Sequence, residues 1–262
     1  MLKLENVSKT FNPGTVNAKT ALDGLNLTLN EGDFVTVIGG NGAGKSTMLN
    51  AVAGVFAIDG GHIFIDGKDV TKLPEYKRAK YLGRVFQDPM MGTAPTMQIE
   101  ENLALAARRG KFRGLGWGIT KAERKVFAEL LADLELGLED RMTAKVGLLS
   151  GGQRQALTLL MASIQKPKLL LLDEHTAALD PKTAAKVLEL SQRIVERDHL
   201  TTLMITHNMK DAITYGNRLI MMDSGRVVLD VSGEEKKKLT VPELIEHFGK
   251  SNSEATDKML LS

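Results

Sequence analysis

One stretch, GGNGAGKST at residues 39–47, constrains the fold of this chain more than any other feature. It lies between FVTVI, an apolar run that predicts a buried strand, and a segment that predicts a helix. Glycines at this spacing let backbone N–H groups close around phosphate oxygens, and the helix N-terminus adds partial positive charge. The stretch therefore predicts a nucleotide phosphate site formed by Gly39, Asn41, Gly42, Ala43, Gly44, Lys45, Ser46 and Thr47.

Two side chains of this stretch have specific expected roles. The Lys45 ammonium can reach the β- and γ-phosphates, and the Ser46 hydroxyl can ligate Mg²⁺. The alternative is a glycine turn that only joins a strand to a helix.

A second apolar run, LLLLDE at 169–174, ends in two acidic residues. Ligands of parallel sheets bind at the carboxyl ends of the strands, so Asp173 and Glu174 are expected beside the phosphates. Asp173 is the expected magnesium partner, and Glu174 is the expected general base for hydrolysis. The alternative is a buried strand that simply ends at the solvent.

Strand-like and helix-like segments alternate along the rest of the chain. Strands and tight turns dominate the first third, helical periodicity dominates from about 96 to 166, and buried strands return at KLLLLDE and LTTLMIT. Buried strands that alternate with helices predict a mainly parallel sheet with helices on its faces, an α/β fold.

Composition removes several functional classes. The 262 residues are 43% apolar and 25% charged, with a net charge of +2 and no cysteine. No broad basic field favours nucleic acid as a partner, and neither a disulfide framework nor a thiolate metal site can form. The amino terminus has no signal pattern, and the apolar runs are too short to span a bilayer. A membrane role must therefore act through another protein.

The motif LSGGQ at 149–153, just before LLLLDE, makes the chain resemble the nucleotide-binding subunits of ABC transporters over nearly its whole length. The resemblance implies a P-loop NTPase core, an N-terminal antiparallel β subdomain and an inserted α-helical subdomain. It implies one ATPase domain over 1–240, with its core at 1–87 and 167–240 and its helical part at about 88–166. Residues 241–262 are expected to form a C-terminal helix and tail.

The resemblance also implies roles for four further residues. Gln87 is expected to contact Mg²⁺ and the attacking water, His207 to contact the γ-phosphate, and Asp180 to communicate between sites. Phe11 is expected to stack on adenine. The alternatives are polar loop residues for Gln87 and Asp180, a helix-capping or surface histidine for His207, and a core position for Phe11. His175 beside Glu174 either orients that acid or is exposed.

Ser150 lies 111 residues after Gly39, at the start of a predicted helix whose N–H groups also suit an anion. If both glycine turns serve one nucleotide within one chain, the helical part must fold back onto the core. The resemblance implies instead a head-to-tail dimer with ATP between two copies. Each copy would then present Ser150, Gly151, Gly152 and Gln153 to the nucleotide held by the other.

Among ABC proteins the chain most resembles importer ATPases that work with tryptophan- or tyrosine-type substrate-binding proteins. It is therefore expected at the cytoplasmic face of the membrane, bound to integral permease subunits and powering import, with amino acids as candidate cargo. Met90, Met91 and Met97 suit contact with a permease helix, or else core packing. The basic stretch 108–118 suits the membrane surface, or else a solvated loop. A lipoprotein- or peptide-extruding ATPase and a soluble ABC ATPase are the alternative functions, and a P-loop kinase leaves LSGGQ unexplained.

Overall fold

The four-leucine run at 169–172 lies between two cores, because its side chains point alternately into one and the other. In the computed structural model, which describes residues 1–111 and 118–251, Leu169 and Leu171 join one buried cluster and Leu170 and Leu172 join another. A strand with apolar side chains on both faces must be covered on both sides, as is usual in parallel sheets.

The strands form two sheets. The strands of the described residues are β1 (Leu2–Phe11), β2 (Lys19–Leu29), β3 (Phe34–Gly39), β4 (Gly60–Ile65), β5 (Lys68–Asp69), β6 (Leu82–Val85), β7 (Leu169–Asp173), β8 (Thr202–Ile205), β9 (Arg218–Asp223) and β10 (Arg226–Ser232). One sheet has the order β2-β1-β4-β5 and is antiparallel. The other has the order β10-β9-β3-β8-β7-β6, parallel except for the β9–β10 pair. The predicted α/β fold with an N-terminal antiparallel sheet is confirmed.

Helices cover both faces of the mainly parallel sheet. They are α1 (Lys45–Ala53), α2 (Glu75–Arg78), α3 (Ile99–Ala107), α4 (Lys121–Ala132), α5 (Gly151–Ser163), α6 (Pro181–Asp198), α7 (Met209–Thr214), α8 (Gly233–Lys238) and α9 (Val241–Ser251). The core on one face contains α1 and the antiparallel sheet, and the core on the other contains α3 to α6. A third core packs Leu244 and Phe248 of α9 against Met209 and Ala212 of α7.

The predicted helical stretch contains α3, α4 and α5, and the predicted division of the chain at about 88 and 166 stays a prediction. Residues 112–117 of the basic stretch, including Trp117, lie outside the described residues. Within the described ranges, no helix has the length and apolar character needed to cross a membrane.

Candidate functional site

The phosphate loop is the tight turn between β3 and α1. Gly44, the N-cap of α1, has a φ of 97°, and a Cβ atom there would lie 2.4 Å from the carbonyl oxygen of Ala21. Neither the backbone angle nor the space admits a side chain, so glycine is required. The close packing fixes the N-terminal N–H groups of α1 at the mouth of the loop, where they suit an anion.

Lys45 carries a positive charge into this loop. Its side chain is buried, and its Nζ donates hydrogen bonds to the carbonyl oxygens of Gly39 at 2.7 Å and Gly40 at 3.1 Å. Burial lowers the pKa of Lys45, while the nearby carboxylates of Glu174 and Asp173 oppose that shift. The ammonium thus lies among backbone oxygens and within electrostatic range of two acidic residues.

The two acidic residues occupy the end of β7. Glu174 has a left-handed backbone with a φ of 44°, and its N–H donates to the carbonyl oxygen of Ile205 at 3.1 Å. A non-glycine residue in this region costs roughly 1–2 kcal/mol, a strain of the kind that accumulates at functional sites. The strained turn places the carboxylates of Asp173 and Glu174, both largely but not fully buried, at the carboxyl end of the strand.

Each carboxylate has its own basic neighbour. Oε2 of Glu174 lies 3.8 Å from Nδ1 of His207, which is too far for a strong hydrogen bond but close enough for an ion pair. This contact lowers the pKa of Glu174 and raises the pKa of His207. Oδ2 of Asp173 lies 3.6 Å from Nη2 of Arg84, and burial raises the pKa of Asp173 while Arg84 opposes the shift. Glu174 is therefore ionised at neutral pH, as a general base must be.

The second glycine turn has a different setting. Ser150 is the N-cap of α5, and its hydroxyl accepts from the N–H of Gln153 at 3.3 Å while the Gln153 side chain accepts from the N–H of Ser150 at 3.2 Å. Gly151 is exposed, but Gly152 is buried, and a Cβ atom there would lie 2.2 Å from Cγ2 of Thr183 on α6. A side chain at position 152 would therefore force Thr183 to move. Among the described residues, no hydrogen bond or ion pair joins this turn to the phosphate loop.

The family profile described as "ABC transporter" matches residues 22–177, more than half of the chain. The chain belongs to the ABC transporter family. It is an ATP-binding and ATP-hydrolysing subunit that powers transport, and the predicted ATPase activity is confirmed at this level.

Several relatives have the same kind of role. A tyrosine transport ATP-binding protein of Clostridioides difficile (strain R20291) is 47% identical over 248 residues, which cover 95% of this chain and 98% of that protein. The methionine import ATP-binding protein MetN of Rhizobium johnstonii is 37% identical over 87% of this chain, which spans only 60% of MetN. The spermidine/putrescine import ATP-binding protein PotA of Aggregatibacter actinomycetemcomitans is 33% identical, with 59% of its length matched.

Solved ABC cassettes have the same fold. The dimeric post-hydrolysis structure of the cassette MJ0796 with ADP and Pi is 33% identical, covers 88% of this chain and 98% of its own, and superposes with a TM-score of 0.75. The ADP conformation of MJ1267 is 29% identical with a TM-score of 0.75, over 95% of this chain and 98% of its own. Together with the transporter names of the relatives, the dimeric cassettes support a dimer that works with membrane permease subunits.

The donor set of this ABC cassette fits Mg²⁺. Within the described parts of the chain, no group of three or more His, Cys, Asp or Glu side chains is arranged to hold a metal ion. Mg²⁺ usually takes one or two protein oxygens together with water and substrate phosphates. The exposed hydroxyl-bearing Ser46 at the start of α1 and the Asp173 carboxylate are donors of that kind.

The remaining predicted residues, Gln87, Asp180 and Phe11, differ in exposure and in their contacts. Gln87 is exposed in the loop directly after β6. Asp180 is the N-cap of α6, where its Oδ1 accepts from the N–H of Thr183 at 3.1 Å, and the hydrogen bonds from Thr183 lower the pKa of Asp180. Phe11 is 36% exposed and meets Phe56 edge to face at 5.4 Å, so the alternative of a core position is wrong.

Sequence reasoning missed Arg84, a neighbour of the acidic pair, and left open whether His175 is exposed. Arg84, in the edge strand β6, is mostly buried, donates to Oδ1 of Asn50 on α1 at 2.6 Å and lies beside Asp173. A lone arginine within an apolar strand was the available signal. His175 is buried rather than exposed, and its Nε2 lies 2.9 Å from Oγ of Ser191. Ser191 donates its own proton to Val187, so His175 is the donor, and the alternative of an exposed His175 is wrong.

Proposed function

We propose that this ABC ATPase drives the import of an aromatic amino acid, with tyrosine as the first candidate, together with an extracytoplasmic substrate-binding protein. The supporting observation is the 47% identity to the tyrosine transport protein over 98% of its length. The methionine and polyamine import proteins are 33–37% identical and extend well beyond the matched region. The pocket that binds the cargo would belong to the other subunits. The proposal of tyrosine therefore rests on the sequence identity of this ATPase to the tyrosine transport protein.

For the chemistry, we propose that Glu174 is the general base. Its carboxylate would take a proton from water, whose oxygen attacks the γ-phosphorus while the bond to the β–γ bridging oxygen breaks and ADP leaves. The left-handed turn at Glu174 and the ion pair with His207 support this role, because they hold an ionised carboxylate at the end of β7. His207 would contact the γ-phosphate from the same side.

The remaining groups would bind and orient the nucleotide. Lys45 would leave the loop carbonyls for the β- and γ-phosphates, which offer stronger, charge-assisted hydrogen bonds. Bound Mg²⁺ would neutralise phosphate charge, held by Ser46 and Asp173, with Gln87 at the metal and the water. Phe11, exposed beside Phe56, would stack on adenine.

We further propose that the site is completed by a second copy of the chain. Ser150, Gly151, Gly152 and Gln153 of one copy would face the γ-phosphate bound by Lys45 of the other, and Asp180 would lie between the two sites. The exposed N-terminus of α5 supports this role, because its N–H groups suit an anion and its first turn contains no acidic residue.

Attachment to the cytoplasmic face of the membrane would occur through permease subunits. Met90 and Met91, in the loop after Gln87, are 42% and 68% exposed, and Met97 is half-buried. Exposed methionines suit a partner helix, because the flexible thioether adapts to varied surfaces.

Transport and partnership are tested together. A strain that lacks this protein should lose uptake of labelled tyrosine and recover it with the parent chain but not with Glu174→Gln. Excess unlabelled tyrosine should compete, and methionine or putrescine should not. Tagged parent chain should copurify with integral membrane subunits. Unchanged tyrosine uptake in the strain that lacks this protein would overturn the proposal that tyrosine is the cargo. Copurification with ribosomes, DNA-repair proteins or an extruding complex would overturn the proposal that the protein is part of an importer.

A further inference from the structure

The loop that follows Gln87 and the segment that precedes Ser150 are joined along their backbones. Three hydrogen bonds of 2.8–3.0 Å link residues 95–99 to residues 144–147, from Gly147 to Pro95, from Val146 to Met97 and from Ile99 to Ala144. A Cβ atom on Gly147 would lie 2.9 Å from the Pro95 carbonyl oxygen, so the two segments are in direct contact. They therefore form one hydrogen-bonded unit.

Arg154, in the first turns of α5, clamps the end of this unit. Its guanidinium donates to the carbonyl oxygens of Gly147 and Leu149 at 3.1 Å each and more weakly to that of Val146 at 3.4 Å. The same guanidinium also donates to Sδ of Met90, in the loop that follows Gln87. One side chain thus contacts the turn immediately before Ser150 and the loop that begins at Gln87.

The next residue of α5 holds the other side of Gln87. Gln155 is fully buried, and its Nε2 donates to the carbonyl oxygen of Phe86, directly before Gln87, at 3.2 Å. Gly92 packs against α5 so closely that a Cβ atom would lie 2.5 Å from Cγ2 of Thr158. Gln87 is therefore flanked by contacts from two consecutive residues of the helix that Ser150 caps.

We propose that Arg154 is a positioning residue that holds the Ser150 turn on the loop after Gln87 and so couples the position of Ser150 to that of Gln87. The inference rests on the proposed site between two copies. Arg154 does not contact the phosphate loop of its own chain, so its effect is exerted at the nucleotide bound by the partner. Within one chain, it links the site that contains Gln87 to the site that Ser150 completes.

The test is ATP-driven dimerisation of the full chain in a Glu174→Gln background, measured by sedimentation at increasing ATP. Arg154→Met keeps the length of the side chain but loses the donors, and we expect it to raise the half-maximal ATP concentration about tenfold, since bonds from a charged donor are lost. Arg154→Lys keeps a point charge but reaches fewer of the carbonyl oxygens. Its half-maximal ATP concentration should therefore fall between those of the parent and of Arg154→Met. Affinity for a fluorescent ATP analogue at chain concentrations too low for dimers should stay within about twofold of the parent.

A matched control is Arg193→Met, which removes an exposed arginine that also donates to a carbonyl, that of Asp133 at 2.8 Å. It should leave the half-maximal ATP concentration unchanged. Coupling between the two positions is measured with Gln87→Ala alone and with Gln87→Ala combined with Arg154→Met. The rise in half-maximal ATP concentration in the double variant, expressed as a free energy, should be smaller than the sum of the rises in the two single variants. Additive effects, or parental dimerisation of both Arg154 variants, would overturn the inference.

Ser150→Ala separates the two proposals. If it raises the half-maximal ATP concentration and Arg154→Met does not, the site between copies stands and the role of Arg154 is wrong. If Ser150→Ala itself leaves dimerisation unchanged, the proposed site between copies is wrong, and the role of Arg154 is wrong with it.

Discussion

The two glycine turns of this chain differ in what surrounds them. The loop at 39–47 lies near two carboxylates and a histidine of its own chain, with Lys45 buried among backbone oxygens. The turn at 147–152 has an N-cap serine and a clamping arginine, and the described contacts join it to no ionisable residue of the phosphate loop or of β7. Under the proposed function, the loop at 39–47 binds the nucleotide that reacts, and the turn at 147–152 completes the site of a partner copy.

The largest expected effect concerns Glu174, which follows β7 and lies near the phosphate loop. Glu174→Gln keeps the shape of the side chain but removes the base, so ATP hydrolysis should fall about 1000-fold. An ATP-bound dimer should accumulate, because nucleotide still joins the copies and is no longer cleaved. Phosphate release and size-exclusion chromatography with ATP measure the two outcomes. A monomeric variant, or one that hydrolyses at the parental rate, would contradict the assignment.

The next largest effect is expected at Ser150, in the glycine turn at 147–152. Ser150→Ala should lower hydrolysis about 100-fold, a loss typical of a donor aimed at developing charge. It should leave ATP affinity of the monomer unchanged. Ser150 is also an N-cap, so the substitution should cost about 1 kcal/mol of unfolding free energy.

Thr120→Ala separates capping from function. Thr120 and Glu123 form the same kind of capping box at the start of α4. This variant should lose similar stability in chemical denaturation and keep parental hydrolysis. If both cap variants lose hydrolysis equally, Ser150 has no role beyond its helix.

Lys45→Ala should have the opposite signature to Ser150→Ala. Loss of charge-assisted bonds to phosphate should weaken ATP binding about 50-fold in the isolated chain, as measured by calorimetry. Unchanged affinity would mean that the loop at 39–47 does not hold the phosphates. Of the two glycine turns, only the loop at 39–47 is expected to control ATP binding to the monomer.

The acid sensitivity of the fold should depend on His175, the residue directly after Glu174. Burial lowers the pKa of His175 to about 4, from an ordinary value near 6.5. Between these values the unfolded chain binds more protons than the folded chain, so stability falls as pH drops. His175→Gln should lessen the loss of unfolding free energy between pH 7 and pH 5 by about 2 kcal/mol. An equal loss in the parent and in His175→Gln would contradict a buried, neutral His175.

Local sequence was sufficient to predict several of the strands and helix starts that carry the candidate site. The apolar runs at 34–38 and 169–172 are β3 and most of β7, because a strand covered on both faces needs continuous apolar residues. The serine and glutamine of LSGGQ predict a helix that begins at Gly151, because they can form a capping box. The start of α6 after Asp180 follows from an N-cap and a proline in the first turn.

Features that depend on distant parts of the chain could not be predicted. The contact between Asp173 and Arg84 joins neighbouring strands that are far apart in sequence. The left-handed backbone at Glu174 has no local signal, since glutamate is not favoured there. The close packing at Gly152 is against Thr183 on another helix, and the hydrogen-bond partner of the buried His175 is Ser191, also on that helix.

The most direct test of the different roles of the two glycine turns mixes two inactive variants. Lys45→Ala and Ser150→Ala subunits are combined in equal amounts, and ATP hydrolysis is measured against each variant alone. In a mixed two-fold dimer, one site carries both defects and the other carries neither, so hydrolysis should recover to about a quarter of the parental rate. A mixture as inactive as its components would contradict the account, because it would place both turns at the nucleotide of one chain.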